Sequence, residues 1–260
     1  MAKPLSLEKI LFSQGFGTRR YCSDLVYADL VQVNGVLAED PEARLSTEGL
    51  ILNVEGQDWE FHEKAYIAFN KPPNYECSHK TTHHPSVYSL LPKPFVERGL
   101  QCVGRLDFDT TGLILISDDG QFIHRMTTPK KNIGKVYEIT TPEPITQKQM
   151  DHLLSGVVLD DDPKPCYATA CEQLGEHVLA MTIVEGRYHQ VKRMMAAVGN
   201  HVRYHQVKRM MAAVGNHVAK LHRTKIGQYV MPESLKEGEW CWLYPQDLQL
   251  LSKSVDAPLV

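Results

Sequence analysis

The sequence predicts an α+β protein, and three observations support that class. Residues 5–14 place apolar side chains at helical spacing, and Thr18 stands where it can cap a second helix. The stretch VQVNGVLA then sets an Asn-Gly turn between two short strands, the strongest local signal of a hairpin. Further along, strand-like apolar runs alternate with helical segments. We therefore expect a small module over residues 1–60 and a larger one over residues 64–253.

The remaining elements follow from the same patterns of apolar and polar residues. In the small module, LILNVEG is expected to be a strand and the polar stretch GQDWEFHEK to be a linker. In the larger module, helices are expected at QFIHRMTT, at ITQKQMDHLLSG and in a repeated segment after residue 186, with LDDDPKP as a loop and SVDAPLV as a frayed end. Strands are expected at YIAFN, GLILIS, KVYEIT, VLAMTIV and KLHRTKIG.

The composition excludes several classes of protein. No run of about 18 apolar residues is present, so we expect no membrane-spanning helix. The first residues lack the apolar core of a secretory signal, which favours a cytoplasmic location. The six cysteines include no C-x-x-C pair, which argues against a zinc knuckle or a redox pair. In a cytoplasmic chain we expect them to be reduced thiols.

Charge is distributed unevenly although the formal net charge is only −3. Residues 187–225 hold nine Lys or Arg, five His and no acidic residue. Such a basic stripe can contact phosphate even in a slightly acidic molecule. The alternative is a solvated helix face. Residues 1–60 are acidic by contrast, with ten Asp or Glu and five Lys or Arg.

Part of the basic stripe is a tandem repeat, since residues 187–202 and 203–218 are identical. Two such units are too few for a solenoid, so an in-frame duplication or an error in the assembled sequence is the simplest explanation. Only one helix can fill a single slot in a core. We expect the first copy to fill it, because Glu185 and Gly186 shape the turn before it. The second copy would then bulge outwards.

A polar turn within CVGRLDFDTTGLILISDDG carries the strongest candidate site. Arg105, Asp107 and Asp109 precede an apolar strand, and catalytic side chains often lie on loops braced in this way. A calcium loop is disfavoured, because Asp118 stands at the position that needs a bidentate Glu. Aspartates that merely cap a turn remain an open alternative.

The motif GRLDFDTTGL resembles the signature of the RsuA-type branch of pseudouridine synthases, which modify ribosomal RNA. The first module resembles the small S4 RNA-binding domain that precedes the catalytic domain in that family. Further family-like motifs follow in the expected order: AFNKPPNYECS, HPSVYSLL, DDGQFIHRMTTP, GKVYEIT, EGRYHQVKRM and LHRTKIG.

This resemblance implies an S4-like module followed by a mixed, mainly antiparallel sheet flanked by helices. It implies isomerisation of a specific uridine in 16S rRNA, with no cofactor and no metal. The expected partner is ribosomal RNA or a ribosomal subunit assembly particle, bound by a monomer without membrane association. The same reaction on 23S rRNA, or a catalytically impaired RNA-binding protein, remain the alternatives.

The resemblance also assigns roles to individual residues. Asp107 aligns with the essential aspartate, which attacks the ribose or removes a proton from it. Tyr137 aligns with the tyrosine that stacks on the flipped base. Lys192, or its duplicate Lys208, corresponds to the cation beside the aspartate, where it would favour the ionised carboxylate.

Several further residues are expected to contact RNA. Arg105 is a candidate to fill the vacated base stack or to hold a phosphate. One departure from the family pattern is Asn74, which replaces a glycine but tolerates positive φ. His79, His83 and His84 form a polar loop that favours RNA over a metal. The other expected RNA contacts are Arg19, Arg20, Lys71, Arg125, Arg187, Gln190 and Arg193.

Overall fold

The computed structural model describes residues 3–159, 162–187, 189–198 and 218–253. The bulge predicted for the second repeat copy and the frayed SVDAPLV end lie outside the described residues, apart from Val218. Backbone contacts divide the chain into two units. The first unit contains Met1–Ala65, Tyr88–Gln101 and Ser117–Asp119, and the second contains Tyr66–Val87, Cys102–Ile116 and Gly120–Val260.

The first unit combines three helices with short antiparallel strands. The strands form a four-stranded sheet in the order β3-β2-β5-β6 and a separate β1-β4 pair. A single turn of 3₁₀ helix precedes α3. The elements are β1 Leu5–Ser6, α1 Leu7–Gln14, α2 Arg19–Tyr27, β2 Val31–Val33, β3 Val36–Leu37, β4 Arg44–Leu45, β5 Ile51–Val54, β6 Gln57–Glu60 and α3 Lys93–Glu97.

Local signals in the first unit have their expected structural outcomes. Helix α1 ends at Gly15, whose φ of 90° is left-handed. Thr18 caps α2 by accepting a hydrogen bond from the amide of Tyr21 at 3.2 Å. Asn34 and Gly35, at φ 49° and 83°, form the turn between β2 and β3. The predicted helices and hairpin are therefore present.

The prediction of a linker at GQDWEFHEK is wrong for its first half. Gln57–Glu60 forms β6 and pairs with β5 in antiparallel register, from Val54 opposite Gln57 to Ile51 opposite Glu60. Trp59 is buried and packs against Phe95, with ring centroids 5.0 Å apart. A short polar strand is stabilised by its partner strand and by one large aromatic side chain, neither of which local polarity reveals.

A buried polar network also holds the first unit together. The Arg98 guanidinium donates to the carboxylate of Asp118 at 2.6 Å and to the side-chain oxygen of Gln14 at 2.9 Å. A third bond reaches the carbonyl of Glu63 at 2.8 Å. The side chain of Arg98 is only 4% exposed. Because its charge is paired and its donors have acceptors, burial of this cation is tolerated.

The second unit is built on one nine-stranded sheet, of which the main path runs β13-β14-β10-β15-β9-β7-β17. Strand β16 pairs with β15, and β8 pairs with β9. Its elements are β7 Tyr66–Lys71, β8 Gln101–Cys102, β9 Thr111–Ser117, α4 Gly120–Thr127, β10 Lys135–Thr140, α5 Gln147–Ser155, β11 Val157–Leu159, β12 Asp162–Cys166, β13 Ala170–Gly175, β14 Val178–Ile183, α6 Gln190–Ala197, β15 Lys220–Ile226, β16 Tyr229–Val230, β17 Trp240–Trp242 and α7 Pro245–Ser252.

The sheet of the second unit is mixed. Strands β9 and β15 are parallel, whereas β10 is antiparallel to both β14 and β15, and β7 to β17. The predicted α+β class is confirmed. The loop predicted at LDDDPKP is wrong in its described part, since Asp162–Cys166 forms β12 against β11.

Three neighbouring strands bring distant residues side by side. In the sheet register, Tyr137 of β10 lies opposite Arg223 of β15, and Arg223 lies opposite Gly112 of β9. A side chain at Gly112 would place its Cβ 2.4 Å from the carbonyl oxygen of Arg223, and the φ there is +98°. Glycine is therefore required where β9 meets β15.

The described helices include none that is both long and apolar enough to cross a membrane. All six cysteines are free thiols. Within the described ranges, no group of three or more His, Cys, Asp or Glu is arranged to hold a metal ion.

Candidate active site

A buried lysine fixes the backbone of the loop that carries Asp107. The ammonium group of Lys71, at the end of β7, donates to the carbonyls of Pro72, Phe108 and Thr110 at 3.0, 3.0 and 2.8 Å. Lys71 is fully buried, and burial lowers its pKa from the usual value. The expected RNA contact at Lys71 is therefore corrected: this cation contacts the backbone of its own chain and fixes the loop.

Two basic side chains flank the carboxylate of Asp107. Nε2 of His189 lies 3.0 Å from Oδ1, and Nζ of Lys192 lies 3.0 Å from Oδ2. Lys192 also pairs with Asp109. The side chain of Lys192 is 10% exposed and that of Asp107 is 26% exposed. Both carboxylate oxygens are thus engaged, which restricts the orientation of Asp107.

The first copy of the repeat supplies both of these basic groups. Helix α6 begins at Gln190, whose side-chain oxygen accepts the amide of Arg187 at 2.9 Å. Val191, Met194 and Met195 are buried and anchor the helix. This apolar face directs Lys192 towards Asp107. The alternative residue, Lys208, lies outside the described part of the chain.

The RNA contact predicted at Gln190 is corrected in the same way as that at Lys71. We predicted an RNA contact, but Gln190 is buried, and its amide nitrogen lies 3.7 Å from the sulfur of Met194. Its side chain therefore bonds to the backbone of the turn before α6 instead of reaching solvent.

His189 was not recognised in the sequence as a site residue. It precedes α6 with φ +48°, a left-handed conformation that is uncommon for non-glycine residues and is concentrated at functional sites. Burial lowers its pKa below 6.5, against the opposing effect of Asp107. The ring contacts the Asp107 carboxylate through Nε2, from which it can donate a hydrogen bond. The only sequence signal was its place within EGRYHQVKRM.

A cavity of about 260 Å³ opens beside Asp107. Tyr137 lies in its wall and is 8% exposed. Lys135, two residues earlier on β10, projects on the same side of the strand and lines the same cavity. The cavity thus contains a carboxylate, an aromatic ring and several cations within one concave site.

Arg223 is a second residue that sequence reasoning missed. Its Nε donates to the carbonyl of Leu113 at 2.7 Å, and its Nη1 donates to the hydroxyl of Tyr137 at 3.2 Å. Arg223 is 3% exposed and lines the cavity, and its Nη2 has no acceptor among the described residues. The motif LHRTKIG contained this arginine, but only the strand register places it beside Tyr137.

Lys135 adds a poorly solvated cation to the same wall. Its ammonium donates to the carbonyl of Ile133 at 3.1 Å. Burial, followed by the positive charge of Arg223, lowers its pKa to about 8. A substantial fraction of this lysine is therefore neutral in mildly alkaline solution.

The remaining predicted RNA contacts lie at or near the surface. Arg105 is exposed at the edge of the cavity. Arg187 pairs with Glu185 at 2.7 Å and donates to the carbonyl of Lys164 at 2.6 Å. Arg193 is half-buried, and three others are exposed: Arg125 in the second unit, and Arg19 and Arg20 in the first.

Comparison with known proteins defines the class to which this fold and site belong. The model of the RNA pseudouridylate synthase family matches residues 65–197, which include Asp107, Tyr137 and Lys192. The chain belongs to this family, and the family predicted from its motifs is confirmed.

The chain is also similar to particular members of the family over nearly its whole length. It is 34% identical to ribosomal small subunit pseudouridine synthase A of Haemophilus influenzae, over 96% of this chain and 100% of that protein. It is 32% identical to the Escherichia coli protein of the same name, over 91% and 95%. A crystal structure of a pseudouridylate synthase, 33% identical, superposes with a TM-score of 0.63 over 95% of this chain and 99% of the other.

Proposed function

We propose that this protein converts one uridine of 16S ribosomal RNA into pseudouridine. The observation that carries the proposal is Asp107, held between His189 and Lys192 beside the cavity that contains Tyr137. The similarity to relatives named ribosomal small subunit pseudouridine synthase A supports the choice of RNA.

The reaction is an isomerisation within one nucleotide. The bond between C1′ of the ribose and N1 of uracil breaks, and a bond from C1′ to C5 forms. The C5 proton is lost, and N1 gains a proton, so no atom or electron is supplied from outside. In this mechanism Asp107 either attacks the ribose or removes a proton from it, and both routes require an ionised, oriented carboxylate.

The cavity supplies what an everted uracil requires. Flipping a base from its stack costs a few kcal/mol, and stacking on the ring of Tyr137 would recover about 1–3 kcal/mol. Arg223 and Lys135 place N–H donors in the same wall. Uracil presents two carbonyl acceptors, so these donors suit its oxygens.

The RNA around the target would be held by cations that are exposed or half-buried. Arg105 and Arg187 line the cavity, Arg193 lies on α6 and Arg125 lies on α4. Arg19 and Arg20 are exposed at the start of α2 in the S4-like module, where they would contact the RNA backbone. We further propose that the protein acts as a monomer on free rRNA or on a subunit assembly particle, which places the reaction in the cytoplasm.

One experiment tests substrate and site together. Wild-type protein and Asp107→Ala are incubated with 16S rRNA, with 23S rRNA and with small-subunit particles, and pseudouridine is mapped. We expect one new pseudouridine in 16S rRNA from the wild type and none from the variant. Modification of 23S rRNA alone would correct the substrate. Binding of RNA without modification would indicate an impaired enzyme, and full activity of Asp107→Ala would refute the site.

A further inference from the structure

A second cavity adjoins the first at the Asp107 loop. Its volume is about 960 Å³, and it shares Arg105, Asp107 and His189 with the first cavity. The additional wall includes His84 and Phe108. A ligand in the first cavity can therefore extend into the second, and the proposed reaction on a single base does not use this additional wall.

The wall of the second cavity contains an aromatic stack. The rings of His84 and Phe108 have centroids 4.3 Å apart and planes inclined by only 7°. Both residues are half-buried, so part of the stack remains open to solvent. Phe108 follows Asp107 directly in the chain. A flat aromatic surface therefore stands one residue away from the proposed catalytic carboxylate.

Both halves of the stack are fixed by backbone hydrogen bonds. The carbonyl of Phe108 accepts from the amide of Asn74 at 2.7 Å and from the ammonium of Lys71 at 3.0 Å. Asn74 has φ +65°, as expected for its replacement of a glycine. On the opposite side, the Glu76 carboxylate accepts the amide of His84 at 3.1 Å.

Glu76 holds three consecutive residues of the loop that contains His84. Its carboxylate also accepts the amides of Thr82 at 3.3 Å and His83 at 3.1 Å. These hydrogen bonds lower the pKa of Glu76. A loop held in this way presents His84 in a defined position before any ligand binds, which reduces the entropy lost on binding.

Resting on the proposed function, we propose that the His84–Phe108 stack binds the base of a nucleotide adjacent to the target uridine. Unstacked bases of single-stranded RNA are recognised by stacking on aromatic side chains. Arg105 is exposed, lines the same cavity and can hold the intervening phosphate. The stack is thus a specificity-determining subsite that selects RNA in which the neighbouring base is free to leave the helix.

The test compares His84→Ala and Phe108→Leu with wild type in single-turnover formation of pseudouridine. Thr81→Ala is the matched control, because Thr81 is an exposed residue of the same loop that does not line the cavity. We expect the RNA concentration for half-maximal rate to rise about tenfold to a hundredfold, the loss of one stacked base. The rate at saturation should stay within about threefold, and circular dichroism should show folded variants.

A modified substrate shows whether the lost contact is with a neighbouring base. RNAs with an abasic nucleotide on the 5′ or the 3′ side of the target are bound to wild type and to His84→Ala. At one of the two positions, removal of the base should weaken binding to wild type by the same factor as His84→Ala weakens binding of the intact RNA. The same abasic RNA should cause no further loss of binding in His84→Ala. Equal binding of wild type and both variants, or additive losses at both positions, refutes the subsite. Failure of wild type to modify 16S rRNA would instead refute the proposed function and this inference with it.

Discussion

Replacement of Lys192 by Met is the most direct perturbation of the candidate site. The substitution keeps the length of the side chain and removes the ammonium that lies 3.0 Å from Oδ2 of Asp107. It also leaves Asp107 and Asp109 without the cation they share. We expect Asp107 to lose its orientation, with His189 as its remaining partner among the described residues.

The size of the effect follows from the distance and the exposure. At 3.0 Å and an effective dielectric constant of about 20, the attraction is about 5.5 kcal/mol. This is an upper bound, because Asp107 is 26% and Asp109 is 50% exposed, so water replaces part of it. Breaking a buried pair costs about 3–5 kcal/mol and an exposed pair about 0–1. For this half-buried pair, about 2–3 kcal/mol corresponds to a rate loss of roughly 30- to 150-fold.

The assay is single-turnover pseudouridine formation at saturating RNA, with binding measured separately. Lys192→Met should lower the rate constant by that factor and change RNA affinity by less than about threefold, because the pair acts on the carboxylate. Lys192→Arg should recover part of the rate. The repeat provides a matched control: Lys208→Met, within the same local sequence, should be neutral, as should deletion of residues 203–218.

Two outcomes would refute this reasoning. A Lys192→Met enzyme with the wild-type rate would show that the ion pair is unimportant for the reaction. A greater loss in Lys208→Met than in Lys192→Met would show that the second copy supplies the cation.

Three further predictions concern stability. Lys135→Met should stabilise the protein below about pH 8, and this gain in stability should vanish towards pH 10.5. The reason is that the lysine of the unfolded chain keeps its proton over the pH interval in which the lysine of the folded protein loses it. Urea titrations at both pH values check this, with the exposed Lys220→Met as control. Gly112→Ala should cost at least about 2 kcal/mol in urea unfolding, because its Cβ would meet the carbonyl of Arg223 at a positive φ; a neutral result would contradict the close approach of the strands. Arg98→Met should cost about 3–5 kcal/mol by the same method, since it leaves a carboxylate with little exposure unpaired, and a loss below about 1 kcal/mol would show that water replaces the guanidinium.

The corrected predictions show where local sequence patterns do not suffice to predict strands or burial. Residues 57–60 are polar and were assigned to a linker, yet they form β6 because β5 offers a register and Trp59 a buried contact. Lys71 was among the expected RNA contacts. Its burial beneath Phe108 and Thr110 depends on residues almost 40 positions away.

The sequence by itself determined the strands and helices that carry the site, because apolar periodicity is a local property. It also determined the position of Asp107 in a turn before β9 and, through the order of its motifs, the family. The family motifs predicted a lysine beside Asp107, but only the tertiary structure showed that Lys192 of the first copy supplies it, that His189 also contacts Asp107, and that Arg223 bonds to Tyr137. These contacts join residues more than 80 positions apart, as in the 83 positions between Asp109 and Lys192. Strand order, register and the packing of α6 decide such contacts, and no local pattern encodes them.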